Sequence, residues 1–208
     1  MTNSQSDLTP LQHDALRELG NIGAGNAATA LAQLVGRPVG MSVPEVNVVP
    51  LSEVNELMGG SEQLMVCISV KILGESRGVM LVLLSRPNVL AIANRLLGQD
   101  PLSSKTLTDM GKSALLELGN ILLGAYMTAV SNLLGLMLLS SVPSLGFDIA
   151  GAFVDLASEQ LKDDKAHVIV IHTEFQENEK KIAGHLLFAP DKPIIDAILA
   201  AVERLIGR

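Results

Sequence analysis

Two segments of this 208-residue chain repeat each other at an offset of 99 residues. Ala15 to Gly36 aligns without a gap on Ala114 to Gly135, with 12 of 22 positions identical, and both copies carry Glu-Leu-Gly-Asn, at Glu18 to Asn21 and at Glu117 to Asn120. The same register sets Leu8-Thr9 on Leu107-Thr108 and Val43-Pro44 on Val142-Pro143. A duplicated chain folds as two copies of one plan. The expectation is therefore a single domain over 1–208 made of two repeats, 8–100 and 107–208, with the joint at Asp100 to Lys105.

Each repeat reads as a long helix, a strand, a short helix, a hairpin and a closing helix. Thr9-Pro10-Leu11-Gln12 is a helix start, with Thr as N-cap, Pro in the first turn and Gln reaching back as a capping box. Gly36 followed by Arg37-Pro38 supplies the stop, which predicts a helix over Pro10 to Val35, roughly 40 Å long. Apolar and β-branched residues predict a strand over Val39 to Val48 and a short helix near Ser52 to Met58. Leu64 to Leu73 and Arg77 to Leu84 read as a hairpin, and Pro87 to Leu97 as a helix. The second repeat predicts a long helix from Thr108, a strand near Leu138 to Val142, a helical stretch after Phe147, a hairpin over His167 to Phe188 and a last helix. Two such units most economically merge their strands. The fold class expected is α/β (α+β): internally duplicated and pseudo-twofold, with a six-stranded, largely antiparallel sheet flanked by long helices.

Composition removes several functions. A net charge of -7 with scattered Lys and Arg, and 2% aromatic residues, argues against nucleic acid, which needs basic surfaces and stacking platforms. The single Cys67 cannot form an internal disulfide, and the polar start Met1 to Asp7 lacks the regions of a signal peptide, so a cytoplasmic protein is expected. Ile121 to Leu139 is apolar enough to suggest a membrane span. Its counterpart Ile22 to Gly40 carries Asn26, Thr29, Gln33 and Arg37, which excludes membrane insertion for both copies. The four histidines show no metal-ligand spacing, and His167 and His172 fall on opposite faces of one strand.

The chemistry lies on the long helices. Residues three and four apart share a helix face, so Asp14, Glu18, Asn21 and Gly25 form one polar strip, and Ser113, Glu117, Asn120 and Gly124 its equivalent. Leu16, Leu19, Ala27, Ala30 and Leu34 fall on the opposite side, so the strip is expected to face outward. A carboxylate one turn from an amide offers a partner for a cation and a group that orients water; the amide is no base. Packing does not dictate exposed polar positions, so their identity in two drifting halves, where Arg17 faces Leu116 and Asn26 faces Ala125, points to a shared task.

The doubled motif resembles the CheC-type phosphatases of bacterial and archaeal chemotaxis (the CheC, CheX and FliY group). Their pattern is Asp or Ser, three residues, Glu, two residues, Asn, twenty-two residues, Pro. It is met by Asp14, Glu18, Asn21 and Pro44, and again by Ser113, Glu117, Asn120 and Pro143. Two sites in a short chain are the CheC arrangement within that group; CheX-type members have one site, and FliY-type members add a switch domain. The resemblance implies a hydrolase acting on phosphorylated CheY. Glu18 and Glu117 would pair with the regulator's lysine, and Asn21 and Asn120 would align the attacking water. No cofactor of its own is implied, because the Mg²⁺ belongs to the regulator. The alternative it implies is an adaptor for the receptor deamidase CheD or a flagellar-switch component. Val142 to Leu156, the least repeat-like part of the second half, reads first as a buried helix and turn and otherwise as the surface on which CheD would dock.

Overall fold

The computed structural model describes residues 9–100, 105–162, 166–177 and 180–206. Met1 to Asp7 and most of the expected joint, 101–104, lie outside them. The elements in chain order are α1 (Pro10–Val35), β1 (Gly40–Pro50), a 3₁₀ turn (Leu51–Glu53), α2 (Val54–Leu57), β2 (Leu64–Gly74), β3 (Gly78–Ser85), α3 (Arg86–Leu96), α4 (Asp109–Leu134), β4 (Leu138–Ser140), β5 (Ser144–Ile149), α5 (Ala150–Leu161), β6 (His167–Glu177), β7 (Lys180–Pro190) and α6 (Lys192–Ile206).

The helix signals act as read. Thr9 caps α1 in a full capping box with Gln12, and Gly36 ends it in the left-handed conformation at φ 69°. Thr108 caps α4 by the hydroxyl alone, accepting from Gly111 N, and Gly135 ends it at φ 68°. Both long helices have 26 residues.

Every strand pairing is antiparallel, and the order is β1-β6-β7-β3-β2-β4, with β5 also pairing β2. That order reads the same from either edge once β1 is matched to β4 plus β5, β2 to β6 and β3 to β7. The pseudo-twofold axis therefore passes between β3 and β7. The two repeats exchange strands: β1 of the first pairs β6 of the second, and β5 of the second pairs β2 of the first. The sheet thus has the six strand positions expected, the last one shared by two short strands. The sequence reading stopped the second edge strand at Val142; it resumes at Ser144, and the helix begins only at Ala150.

Both faces of the sheet are covered, giving three layers. Met80, Val82 and Leu84 of β3 point into the core under α1, α3, α4 and α6, while Val79, Leu81 and Leu83 point into the core under α2 and α5. Burial on both sides explains why β3 reads as an unbroken apolar run instead of an alternating one. α4, the one described helix both long and apolar enough to cross a membrane, is packed instead: Leu115, Leu118, Leu122, Leu123, Tyr126 and Met127 are buried. Cys67 is buried in β2 and its thiol is pushed up to about 12 by burial, which leaves it an inert apolar side chain.

One row of side chains breaks the symmetry. Glu45, His172 and His185 stand side by side across β1, β6 and β7, with the two imidazoles 5.0 Å apart edge to face. The related row on the other half is Ser144, Ser69 and Leu81, where the two hydroxyls lie 2.7 Å apart. Burial, then the neighbouring His172, hold His185 below its ordinary value of 6.5, and Glu45 pulls the other way. The unfolded chain therefore takes up this proton before the folded one does. The stability that His185 contributes is whole above about pH 6.5 and is lost as pH falls below it. Thermal melts between about pH 7 and 5 should show the wild type losing Tm more steeply than His185→Leu; equal slopes would contradict this assignment.

Candidate active site

Asp14, Glu18, Asn21 and Gly25 are exposed along α1, and Ser113, Glu117 and Asn120 along α4, with Gly124 half-buried. The strip faces outward as expected. The buried face differs in detail from the sequence reading: Leu16 and Ala27 are buried and Leu19 and Ala30 half-buried, but Leu34 is 51% exposed. Leu34 is on the expected face, in the last turn, where the core no longer covers it. The residues that press α1 onto its neighbours are Gly20, Gly23, Ala24 and Leu31 as well as Leu16 and Ala27.

The glycine inside each Glu-Leu-Gly-Asn has a packing reason. A Cβ at Gly20 would sit 3.1 Å from Val43 Cγ1, and one at Gly119 only 2.3 Å from Ile68 Cγ2. Each helix lies close to the sheet at this turn: at Gly119 only hydrogen fits, and at Gly20 a methyl would require Val43 to give way by a few tenths of an ångström. Gly23 is similarly filled, since its Cβ would meet the Tyr126 ring at 2.7 Å. The signature therefore combines one residue that seats the helix with two that point away.

The long spacing to proline also acquires a cause. The chain leaves α1 at Gly36 and returns antiparallel as β1, which brings Val43 beside Asn21; Val43 N donates to Asn21 Oδ1 at 3.2 Å. Pro44 follows, at a register shift of β1 against β6 between Ser42 and Glu45. Proline suits this point because it has no N–H to give to a ladder, and it holds the preceding residue extended. Sequence reasoning grouped Pro44 and Pro143 with the site but missed the bond that links strand to amide. The signal was the fixed interval from Asn to Val-Pro in both copies.

The two sites differ here. Val43 is 3% exposed and packs over Gly20, whereas Val142 is 86% exposed and lies in the break between β4 and β5. Asn120 makes no side-chain hydrogen bond among the described residues. Neither Glu18 nor Glu117 forms an ion pair or side-chain hydrogen bond among them. Asp14 is engaged by Arg17 at 3.0 Å in an exposed pair, which contributes little to stability; Ser113 and Leu116 offer no such pair. Exposed apolar side chains flank both strips: Leu11 and Met110, at equivalent positions, are 59% and 67% exposed.

Comparison with known proteins is decisive on kinship. The CheC-like family model matches residues 11–48 and 110–146, so each match spans one whole copy of the motif. The chain is 32% identical to the CheY-P phosphatase CheC of Bacillus subtilis (strain 168), over 92% of this chain and 93% of that one. The chain belongs to the CheC-like family. The flagellar motor switch phosphatase FliY of the same organism is 29% identical over 79% of this chain and 42% of its own length. The crystal structure of Thermotoga maritima FliY shares the fold, with a TM-score of 0.77 at 24% identity, covering 95% of this chain and 98% of that one. The resemblance carried by the doubled motif is thus borne out, and so is the fold class.

The asymmetry at Val43 makes a stability prediction. Asn21→Ala removes the acceptor of a part-buried backbone N–H and should lower unfolding free energy by about 1 kcal/mol, while Asn120→Ala should stay within about 0.5 kcal/mol of wild type. Urea unfolding of the two variants checks this; equal losses would mean that the Asn21–Val43 bond contributes nothing.

Proposed function

We propose that this family member is a hydrolase that removes the aspartyl phosphate from a phosphorylated CheY-type response regulator. The observation that carries the reading is the pair of exposed, equivalently placed Glu–Asn couples, one on each long helix. In each couple the carboxylate has no described partner within the chain.

Phosphoryl transfer from an acyl phosphate needs little covalent chemistry from the catalyst; placement of water and charge supplies most of the effect. Glu18 and Glu117 pair with the regulator's lysine and fix its orientation on the helix. Asn21 and Asn120 enter the pocket, where the side-chain amide donates to or accepts from a water and directs it in line with the phosphorus–oxygen bond that breaks. The attacking oxygen loses its proton to solvent or phosphate, since an amide cannot hold it. The Mg²⁺ of the reaction arrives with the regulator as part of the substrate. The bond from Val43 N holds Asn21 in one orientation before docking, which reduces the ordering required at site one. At site two the equivalent Val142 is 86% exposed, and no such bond holds Asn120 among the described residues. A cytoplasmic location accompanies this reading, because the substrate is a cytoplasmic signal carrier.

A second reading, an adaptor role toward the receptor deamidase CheD, is favoured by the exposure of Val142 and Phe147 on the edge formed by β4 and β5, where Phe147 is 56% exposed. It involves a different surface and is compatible with the first. Release of phosphate from purified regulator separates the two. Asn21→Ala combined with Asn120→Ala should abolish the stimulated dephosphorylation, each amide contributing on the order of 10- to 1000-fold, or roughly 1.4 to 4 kcal/mol of barrier. A folded double variant that still accelerates phosphate loss would sink the catalytic assignment.

A further inference from the structure

Glycine inside a helix costs about 1 kcal/mol relative to alanine, so each one needs a reason. In α1 and α4 four of the six have an internal one. A Cβ at Gly20, Gly23, Gly111 or Gly119 would approach Val43, Tyr126, Leu107 or Ile68 at 3.1, 2.7, 2.9 and 2.3 Å respectively. Gly25 and Gly124 have none among the described residues: nothing described lies within 4 Å of a Cβ built on either. They are equivalent positions of the two repeats, each one turn beyond the Asn of the signature. The positions around them have drifted, with Asn26 against Ala125 and Ala28 against Met127.

The turn that follows is also matched. Thr29 Oγ1 donates to the carbonyl oxygen of Gly25 at 2.9 Å, and Thr128 Oγ1 to that of Gly124 at 2.8 Å. Each threonine is thereby held in one rotamer, with its hydroxyl folded back against the helix. The outcome in both copies is a notch one turn long, bounded by Asn on one side and a pinned threonine on the other. Its floor is bare backbone. Cβ atoms three or four residues apart on a helix are only about 5 to 6 Å from each other, so whatever surrounds the tip of Asn21 or Asn120 also covers this notch.

We propose that Gly25 and Gly124 are clearance positions for the substrate protein, admitting the backbone of the regulator loop that borders its phosphoaspartate pocket. This rests on the phosphatase reading and extends it to a positioning residue of the same site. The logic is steric. A methyl group at either glycine meets nothing among the described residues of its own chain but lifts the docked loop away, withdrawing the Asn from its working depth. A displacement of about 1 Å in such an arrangement can cost about 100-fold in rate.

The proposal makes stability and activity move in opposite directions. Two full-length variants are compared with wild type, Gly25→Ala with Gly124→Ala, and Gly25→Leu with Gly124→Leu, by thermal melts and by phosphate release from phosphorylated regulator over a range of regulator concentrations. Both variants should melt higher, by about 2 to 6 °C for the paired substitutions, because both residues are better helix formers than glycine. kcat/KM should fall by at least about 10-fold for alanine and by about 100-fold or more for leucine, with KM rising as the larger side chain obstructs docking. A lower Tm would show that the glycines serve the fold, and kcat/KM within about 2-fold of wild type for both variants would show that no partner surface comes near them. Either result overturns the clearance role while leaving an active wild type, silenced by the Asn double substitution, as a phosphatase. A wild type that fails to accelerate phosphate loss overturns the phosphatase reading itself, and the clearance role with it.

Discussion

The exchange of edge strands between the repeats is the constraint on which everything else rests. Among the described residues β1 finds its ladder partner in β6, and β5 finds its partner in β2, so each half completes the other's sheet. The helices follow the strands: α3 of the first repeat packs on α4 of the second, and α6 of the second on α1 of the first. Gln12 Nε2 on α1 also donates to Glu203 Oε1 on α6 at 2.8 Å. A shared sheet buried on both faces gives the two long helices one rigid floor. Two Glu–Asn couples, far apart in sequence, are thereby fixed on a single scaffold.

Seating those helices is what the buried glycines accomplish. Gly20 and Gly119 let the backbone of each signature turn touch the layer beneath, and the neighbouring Glu and Asn are aimed outward as a geometric consequence. The same closeness allows a strand N–H to reach Asn21. Functional orientation here derives from packing one residue away. The second half departs from this pattern, with Val142 turned to solvent and the edge strand interrupted, so duplication supplied two frames that later diverged in their surroundings. The row of Glu45, His172 and His185, against Ser144, Ser69 and Leu81, is another instance of that drift.

Much of the architecture was legible in the chain because the signals were local. Thr9 with Gln12, Thr108, Gly36 and Gly135 mark helix ends by chemistry that depends on a few adjacent residues. The internal repeat then converted one good reading into two and made a merged, pseudo-twofold sheet the economical outcome. Contacts between segments distant in sequence were not legible. The pairing of His172 with His185 depends on hairpin register, and the resumption of strand at Ser144 depends on β2 offering an open edge. Leu34 was placed correctly by periodicity yet lies exposed, since periodicity assigns a face and not the extent of what covers it. At the site, Glu18, Asn21, Glu117 and Asn120 could be picked out by repetition, whereas the Val43 bond and the freedom of Val142 required coordinates.

The central claim is that the exposed amides of α1 and α4 enter another protein's phosphorylated pocket. A structure of the chain with a CheY-type regulator held in its active state by beryllofluoride and Mg²⁺ tests it most directly. The account predicts α1 or α4 laid across the regulator, with Asn21 or Asn120 within hydrogen-bond distance of the position in line with the beryllium–oxygen bond and the neighbouring Glu on the regulator's lysine. A regulator bound instead to the edge formed by β4 and β5, with both asparagines in solvent, would contradict it.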